Sequence, residues 1–333
     1  MIIPTELDNP PRFLDYRLRP ARMMDAEAVA ALSLAVCTAD GDSSVALSLE
    51  DLRQYWQEPG FHIETDTWVA ETPDGKIVGY EELYNRHGFA SFEGDGYVHP
   101  DYEGQGIGTA MLKKLEARAR QLMKQAEPDL RVTIRNTMSI SDTRAREMHA
   151  NEGYAPIRFA WRMEIQLDAP PAVYPLPEGV ELRPFAADEH ARPVFEAVDE
   201  AFRDHWGHLP MKYENWVSHN LEREGFDPSL WFVAWDGGQV AGVSLCRYRP
   251  EMGWVGTLGV RRPWRKRGLG LALLTHSFGE FFRRGTQTIG LGVDAENQTG
   301  ATCLYQRAGM KVASEFVHYQ KELRPGRDMT EEE

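Results

Sequence analysis

The feature that most constrains the fold is an internal duplication, because the second half of the chain repeats the landmarks of the first half in the same order. The matched landmarks are Leu18-Arg19-Pro20 with Leu182-Arg183-Pro184, Gly106 and Gly108 with Gly268 and Gly270, and Gly153 with Gly309. Partners lie about 160 residues apart, and the spacing drifts by only a few residues, as loop insertions and deletions produce. The duplication predicts two domains of one fold instead of one large core.

A proline-rich segment separates the two halves. Residues 168–179 read DAPPAVYPLPEG, and proline both fixes φ and removes a backbone donor, which disfavours a helix or a central strand. We therefore predict an N-terminal domain at 14–167, a linker at 168–179 and a C-terminal domain at 180–324. Residues 325–333 form a charged tail, which we expect to stay unfolded from Arg327 onward.

Each half shows the same order of secondary-structure signals. A strand (residues 16–21 and 180–185) precedes one or two helices and three strands, then come a long helix after the glycines, a strand, a shorter helix and two final strands. This order predicts an α+β fold, with a mixed, mostly antiparallel central sheet flanked by helices in each half.

Charge and composition exclude several partners. The formal net charge is −14, which argues against nucleic acid or an anionic membrane, since both bind through summed positive charge. The three cysteines, Cys37, Cys246 and Cys303, form no CxxC pair, so we expect neither a disulfide framework nor a metal site. The N-terminus lacks the pattern of a signal peptide, and no apolar run is long enough to span a bilayer, so we expect a cytoplasmic protein.

The strongest local departure from this acidic composition is the glycine turn of the second half. Five of the seven residues at 261–267 are basic, and RKRGLG at 265–270 follows an extended segment and opens a helix. Glycines allow backbone N–H groups to approach a phosphate, and the helix dipole adds partial positive charge. The turn predicts a site for a multiply phosphorylated ligand. The alternative is a tight turn whose basic side chains face solvent.

The first copy of the turn, EGQGIG at 103–108, keeps the glycines but has no basic residue from 100 to 108. Its electrostatic attraction for an anion is weaker.

Two other classes of glycine-rich binding loop do not match the sequence. A P-loop needs GK followed by Ser or Thr, and the dinucleotide motif needs a third glycine where Met111 and Leu273 stand. Asp294 lies at the distance of that motif's ribose-binding acid, but the glycines follow a run of strands, so we interpret the match as coincidence.

The second half resembles the GNAT acetyltransferase superfamily, whose acyl-coenzyme A motif is [RQ]xxGx[GA] after a central strand. Residues 265–270 match this motif fully, and VDAENQTGATCLYQRAGM at 293–310 resembles the family's second motif. The duplication, the proline-rich linker and AFRDHWG at 201–207 are similar to the tandem branch that includes mycothiol synthase. The resemblance covers nearly the whole chain and implies two tandem GNAT-like domains.

The resemblance implies acetyl-coenzyme A, or another acyl-coenzyme A, as cosubstrate and assigns residues to it. The loop would hold the pyrophosphate, with backbone amides from 265 to 270 and added charge from the basic side chains, and Asn297 would contact the coenzyme arm. The loop residues implied are Arg265, Lys266, Arg267, Gly268, Leu269 and Gly270. Val260 would give its N–H to the thioester carbonyl, as oxyanion donors do. Tyr305 would protonate the departing thiolate as general acid. In the first copy the equivalent coenzyme contacts are Val98, Gly104, Gln105, Gly106, Ile107 and Gly108.

Each of these roles has a structural alternative. Tyr305 could be a buried aromatic side chain with its hydroxyl satisfied, and Asn297 could cap a helix, with or without touching the coenzyme. In the first copy Glu103 replaces the basic residue and His149 stands at the position of Tyr305. We therefore expect the N-terminal domain to be degenerate and the C-terminal domain to carry the chemistry.

We expect direct transfer to a small-molecule amine in a ternary complex, with Asp204, His205 and Glu251 as candidate bases. A strand-borne Glu of the mycothiol synthase branch falls on Trp254 here, which weakens the inference of that particular substrate. A non-catalytic protein that binds or senses acyl-coenzyme A is the alternative function. We expect a monomer or a homodimer.

Overall fold

The computed structural model describes residues 15–58, 60–203, 205–208, 211–223, 225–249, 252–297 and 299–329. The chain divides into two compact units. Of the described residues, the first unit contains 15–157 and 318–329, and the second unit contains those of 158–317. No helix in the described ranges is long and apolar enough to span a bilayer.

The first half of the chain contains six strands and five α-helices within its described residues. In chain order they are β1 (Arg17–Arg19), α1 (Ala26–Ala39), α2 (Leu49–Tyr55), α3 (Ile63–Asp66), β2 (Thr67–Glu71), β3 (Ile77–His87), β4 (Ser91–Val98), α4 (Ile107–Leu122), β5 (Val132–Ser139), α5 (Thr143–Asn151) and β6 (Ala155–Gln166). The predicted first strand, residues 16–21, is confirmed as the shorter β1.

The second half repeats this order. Its elements are β7 (Val180–Arg183), α6 (Ala187–Phe202), α7 (Tyr213–Asn220), β8 (Trp231–Asp236), β9 (Gln239–Arg249), β10 (Met252–Val260), α8 (Leu269–Arg283), β11 (Thr288–Asp294), α9 (Ala301–Arg307) and β12 (Lys311–Arg324). Residues 168–179 contain neither helix nor strand.

Each unit has a mixed sheet in which one strand pair is parallel. In the first unit the order is β1-β2-β3-β4-β5 followed by β12, and β4 with β5 is the parallel pair. In the second unit the order is β6-β11-β10-β9-β8-β7, and β10 with β11 is the parallel pair. The other described pairings in both units are antiparallel. The predicted α+β fold with a mixed, mostly antiparallel sheet is confirmed.

Two long strands each contribute to both units. Residues 158–166 of β6 belong to the second unit and pair antiparallel with β11, from Thr288 opposite Gln166 to Asp294 opposite Ala160. Residues 318–324 of β12 belong to the first unit, beside β5. The boundaries predicted at 14–167 and 180–324 place these two segments in the opposite halves. The last strand of each unit is therefore drawn from the other half of the sequence.

Part of the charged tail is ordered. The backbone N–H of Arg131 donates to the Arg327 carbonyl at 2.8 Å, and the N–H of Arg327 donates to the Asp129 carbonyl at 2.8 Å. Asp328 also forms an ion pair with Arg131 at 3.1 Å. The expectation that the chain is unfolded from Arg327 onward is wrong for these residues, because the backbone just before β5 offers them partners.

Apolar side chains from α8 pack on the sheet of the second unit. Its core includes Leu273, Phe278 and Phe281, which are fully buried, and the sheet residues Ile289 and Leu291. Each fully buried side chain of this size contributes about 1.5–3 kcal/mol. This core fixes the start of α8, and therefore the glycine turn, against the end of β10.

Candidate active site

The glycine turn of the second unit has a backbone conformation suited to an anion. Lys266 and Gly268 have positive φ values of 62° and 86°, and Gly268 stands directly before α8. A Cβ at Gly268 would meet nothing within 4 Å, so packing does not require glycine there, and only the backbone angle does. The first N–H groups of α8 have no partner within the helix and point outward from the turn.

The basic side chains at this turn divide into two groups. Arg265 donates from Nε to the Val260 carbonyl and from Nη2 to the Ala201 carbonyl, both at 3.0 Å. Lys266 and Arg267 are exposed, and Arg267 makes one long contact, 3.4 Å, to the Glu178 carbonyl. Arg265 thus positions the end of β10, whereas Lys266 and Arg267 supply positive charge at the surface of the turn.

Strands β10 and β11 separate soon after they pair. Their parallel register covers only Gly253 with Ile289 and Trp254 with Gly290, although β10 continues to Val260. The N–H of Arg261 donates to the Ala241 carbonyl of β9. In an antiparallel pair, hydrogen-bonded positions alternate with positions that are not bonded, so Val260, the residue before Arg261, does not bond to β9. The Val260 N–H therefore faces away from β9, toward the side on which β11 has separated.

Tyr305 lies on α9 and belongs to the apolar cluster against which Val260 packs. Its side chain is buried, with 7% exposed, and burial raises the pKa of its hydroxyl to about 12. Among the described residues none forms a hydrogen bond with that hydroxyl. The neighbouring Leu304 packs so closely on Gly270 that a Cβ there would lie 2.9 Å from Leu304 Cδ1 and 3.7 Å from Val260 Cγ2. Gly270 thus allows α8, α9 and the end of β10 to meet.

Asn297 acts as a local cap. Its Oδ1 accepts hydrogen bonds from the N–H of Thr299 at 2.8 Å and from its hydroxyl at 2.6 Å, and it lies 3.4 Å from the N–H of Ala301. The capping interpretation therefore accounts for Oδ1, and the side-chain NH₂ is left as the group for a coenzyme contact.

Of the three candidate bases, Asp204 and Glu251 lie outside the described residues. His205 follows α6 and its ring packs on Phe202, with ring centroids 4.5 Å apart. Its backbone N–H donates to the Phe202 carbonyl at 2.8 Å.

Sequence reasoning missed Arg158. This residue of β6 donates from Nε and Nη2 to the two carboxylate oxygens of Asp294, at 3.0 and 2.6 Å, and its guanidinium lies 5.2 Å from the ring centroid of the exposed Trp206. Arg158 and Trp206 therefore lie beside the end of β11 in the second unit. The linear sequence places Arg158 in the other half, and only the pairing of β6 with β11 brings it here.

The first unit repeats this backbone geometry. Gly104 and Gly106 have φ values of 71° and 79°, matching Lys266 and Gly268, and Ile107 begins α4. The N–H of His99 donates to the Val78 carbonyl, so the Val98 N–H faces away from β3 as that of Val260 faces away from β9.

Close packing at the start of α4 is also preserved. A Cβ at Gly108 would lie 2.9 Å from Met148 Sδ and 3.6 Å from Val98 Cγ2. The side-chain oxygen of Gln105 is buried and has no hydrogen-bond partner in the described part of the chain.

The charges of the first turn are reversed. Glu103 forms an ion pair with Arg144 at 2.5 Å, which satisfies it locally. Burial, followed by the charges of Asp142 and Glu103, raises the pKa of Asp40 to about 6. The first turn therefore lacks the excess of positive charge found at the second.

His149 of α5 is a packed side chain. It is 6% exposed, and its Nδ1 lies 2.8 Å from the Ala145 carbonyl, which can only accept, so Nδ1 carries the proton. Its Nε2 is buried with no hydrogen-bond partner among the described residues, and burial lowers the pKa of the imidazole. A neutral ring whose only N–H is bonded to backbone has no proton to deliver to a leaving group.

In each unit, a glycine turn joins a helix to a central strand whose end has separated from the neighbouring strand of a mixed sheet. This duplicated arrangement is that of a tandem acetyltransferase. The chain belongs to the acetyltransferase (GNAT) family, whose profile matches residues 37–142 and 191–310. It is an acetyltransferase of the GNAT type, and the predicted tandem GNAT organisation is confirmed.

Named relatives align with most of the length of this chain. The mycothiol acetyltransferase of Salinispora arenicola is 30% identical over 323 residues, which cover 92% of this chain and 95% of that protein. The mycothiol acetyltransferase of Geodermatophilus obscurus is 28% identical over 307 residues, covering 88% and 92%.

Solved structures agree in fold. A GCN5-related N-acetyltransferase from Sphaerobacter thermophilus is 37% identical, with a TM-score of 0.82 over 96% of this chain and 99% of that one. A tandem GNAT protein from the clavulanic acid biosynthesis pathway is 20% identical, with a TM-score of 0.71 over 94% and 100%. At 20% identity, the similarity to this tandem GNAT protein shows a common fold only.

Proposed function

We propose that the second unit transfers the acetyl group of acetyl-coenzyme A to the amine of a small molecule, by direct attack within a ternary complex. The observation that carries this proposal is the convergence at Gly270 of three parts. These are a basic glycine turn, the outward-facing N–H of Val260 and the helix that bears Tyr305. The first unit has the same backbone, but its turn carries Glu103 in place of the basic residue, and the packed His149 stands at the position of Tyr305.

The coenzyme would bind along the end of β10, where this strand has separated from β11. The pyrophosphate would accept hydrogen bonds from the backbone N–H groups of Gly268, Leu269 and Gly270, with charge from Lys266 and Arg267. Arg265 would act indirectly, because its guanidinium holds the Val260 carbonyl and so fixes the strand end that the thioester must reach.

Direct transfer requires no covalent enzyme intermediate. The amine nitrogen attacks the thioester carbon, and the new C–N bond forms as negative charge develops on the carbonyl oxygen. The Val260 N–H would stabilise that charge, a contribution of a few kcal/mol for such donors. The C–S bond then breaks, and the thiolate takes its proton from the Tyr305 hydroxyl.

The environment of Tyr305 suits this role. With its pKa raised to about 12 by burial, the hydroxyl remains protonated at neutral pH. The coenzyme thiolate, whose conjugate thiol has a pKa near 8.5, is a weaker base than the phenolate, so the transfer is uphill and is completed when the Tyr305 phenolate regains a proton from solvent.

The proposal that the acceptor is a small-molecule amine is supported by the relatives, which are named mycothiol acetyltransferases. The charges around Trp254 bear on which residue could act as the base. Trp254 is buried at the point where β10 leaves β11, and the Arg249 guanidinium lies 3.8 Å from its ring centroid, so this position offers no carboxylate. A base for the attacking amine would therefore come from another element, with Asp204, His205 and Glu251 as the candidates.

The test is acetyl transfer by the full chain across a panel of small-molecule amines. Thiol release from acetyl-coenzyme A should depend on the amine supplied, and mass spectrometry should detect the acetylated amine. Saturable binding of acetyl-coenzyme A without thiol release for any amine would instead support a protein that binds the coenzyme without turnover.

A further inference from the structure

Aromatic side chains stand on both sides of the gap between β10 and β11, on the face of the sheet opposite α8. On one side, Gly259 of β10 faces α6, since a Cβ there would lie 3.2 Å from Phe202 Cε2. On the other side, the Arg158 guanidinium of β6 lies 5.2 Å from the ring centroid of Trp206 and is bonded to Asp294, the last residue of β11. Phe202 and Trp206 therefore flank the place where the two strands have separated.

Trp254 closes the bottom of this gap. Gly253 faces α8, where a Cβ would lie 2.7 Å from a side chain of that helix, so the next residue, Trp254, points to the opposite face. Its ring lies over β11, because a Cβ at Gly290 would be 3.0 Å from Trp254 Cζ3 and one at Gly292 would be 3.9 Å from Cζ2. Asp294 follows Gly292 by two residues and points to the same face. On this face the gap therefore has an aromatic floor between aromatic sides.

The two faces of the sheet have different neighbours at the gap. The glycine turn and Tyr305 lie on the α8 side, where Val260 packs close to Gly270. A coenzyme bound there leaves the α6 side for the second reactant of a direct transfer, whose amine has to reach the thioester through the gap. The acceptor would therefore lie against Phe202, Trp206 and Trp254.

Arg158 fixes the side of the gap that Trp206 occupies. Its guanidinium donates to both carboxylate oxygens of Asp294, at 3.0 and 2.6 Å, and lies 3.3 Å from the carboxylate of Glu296. Such a bidentate pair has a defined geometry, and it places the guanidinium for a cation–π contact with the indole. Trp206 is 42% exposed. The indole is therefore held in place and still has surface for a ligand.

The charges on this side of the gap favour an uncharged substituent on the acceptor. The two acids beside Trp206 are Asp294 and Glu296, and both form ion pairs with Arg158. Their attraction for a further cation is reduced by this pairing. An aromatic substituent gains instead, because an aromatic pair is more stable than the burial of its area alone accounts for.

Serine occupies the corresponding place in the first unit. Ser139 ends β5 as Asp294 ends β11, and its hydroxyl lies 2.7 Å from that of Ser141. The Ser141 hydroxyl donates at 2.9 Å to the carbonyl of Asp40, directly after α1. The pair of Arg158 and Trp206 is therefore particular to the second unit and is not required by the fold.

We propose that Trp206, positioned by Arg158, determines the acceptor specificity of the second unit and selects amines that carry a planar aromatic group. The aromatic ring would stack on the exposed indole while the amine extends into the gap toward the thioester. Trp206 would contact the acceptor, whereas Arg158 acts through Trp206 as a positioning residue. This inference rests on the acetyl transfer proposed above and adds the class of amine.

The test compares 2-phenylethylamine with 2-cyclohexylethylamine, which have the same carbon skeleton but differ in the planarity of the ring. Calorimetry measures the binding of each amine to the full chain saturated with free coenzyme A, and thiol release from acetyl-coenzyme A measures turnover. We expect the phenyl amine to bind about three- to tenfold more tightly, which is the gain from one aromatic pair. Its KM should be lower by the same factor, with kcat similar for the two amines.

Four variants locate the source of this preference. Trp206→Ala should abolish it and Trp206→Phe, which keeps a ring, should retain part of it, with coenzyme affinity and the KM of propylamine unchanged in both. Arg158→Lys keeps the charge but loses the bidentate pair, so it should reduce the preference. Phe159→Ala is the matched control, because Phe159 is 40% exposed and, as the residue next to Arg158 on β6, faces the other side of the sheet.

The proposal is overturned if the two amines bind equally, if the preference survives Trp206→Ala, or if Phe159→Ala removes it as well. An equal loss for propylamine in Trp206→Ala would also overturn it, since Trp206 would then act on the site as a whole. A preference in binding without thiol release for any amine would support the selective site and contradict the proposed transfer. Thiol release with no preference between the two rings would contradict the selectivity and leave the proposed transfer intact.

Discussion

The two glycine turns share a backbone but differ in charge. Positive φ occurs at Gly104 and Gly106 in one and at Lys266 and Gly268 in the other, and each turn opens a long helix. Around the first lie Glu103 and Asp40, whereas the second carries the exposed side chains of Lys266 and Arg267.

The comparison separates what holds the fold from what binds a ligand. The backbone is preserved because the helix, the strand end and the following helix pack through Gly108 or Gly270, where a Cβ would come within 2.9 Å of a neighbouring side chain. The side chains that face solvent at the turn have no such packing constraint. Charge can therefore change while the fold is retained, and the division of labour between the units should be visible in matched substitutions.

The largest expected effect concerns the pair Tyr305 and His149. Tyr305→Phe keeps the packed ring and removes the hydroxyl, so turnover should fall by roughly 10²-fold or more while coenzyme affinity changes little. Steady-state kinetics and calorimetry with acetyl-coenzyme A measure the two quantities.

His149→Phe is the matched control in the first unit. It should leave turnover unchanged, because the proton on Nδ1 is bonded to backbone. A large loss of turnover from His149→Phe, with Tyr305→Phe near normal, would move the chemistry to the first unit.

A smaller effect is expected from valine at the two turn glycines. Gly268→Val and Gly106→Val impose the same cost of a left-handed conformation, about 1–2 kcal/mol. Only Gly268→Val should weaken coenzyme binding, by about tenfold, because it disturbs amides that would donate to the pyrophosphate. Calorimetry with acetyl-coenzyme A measures the change. If Gly106→Val were to abolish the tighter site, the two units would have to exchange roles.

The smallest expected effect is a difference between the two units in how their stability depends on pH. Burial raises the folded-state pKa of Glu82 to about 8, well above its usual value near 4.3, so folding favours the protonated acid. Its contribution is complete below about pH 4 and is lost as pH rises toward 8. The first unit should therefore unfold a few degrees lower at pH 8 than at pH 5.

Hydrogen exchange read separately for each unit measures this difference. Glu82→Gln should reduce the dependence in the first unit. The second unit buries no carboxylate among its described residues and should show little change. Acids whose pKa is lowered by an ion pair, such as Asp25 with Arg19, titrate below this window and do not obscure it. Equal pH dependence in the two units would contradict this explanation.

The glycine turns and the position of Tyr305 could be predicted from sequence because they depend on local signals. A glycine pair before an apolar helix specifies the turn from adjacent residues, and the duplication supplied a second copy of the same pattern. The side-chain role of Arg265 could not be found this way, since its partners are the backbone carbonyls of Val260 and Ala201, which any residue type provides.

Long-range pairing accounts for what the sequence did not reveal. The proline-rich segment contains neither helix nor strand, as predicted, but β6 before it pairs with β11 of the second unit. Arg158 of β6 therefore lies beside residues that the sequence places far away. One local signal was available for the buried acids Glu81 and Glu82. Two consecutive acids in the middle of a strand must face both sides of the sheet, so in a covered sheet at least one of them is buried.

The exchanged strands also set an order of assembly during synthesis. The sheet of the first unit lacks residues 318–324 until the ribosome has added the roughly 160 residues of the second unit, a delay of about 10–30 s at typical translation rates. Throughout that interval the edge of β5 is open to pairing with another chain. The half that is made first is therefore completed last, and it should depend most on protection while the chain is still growing.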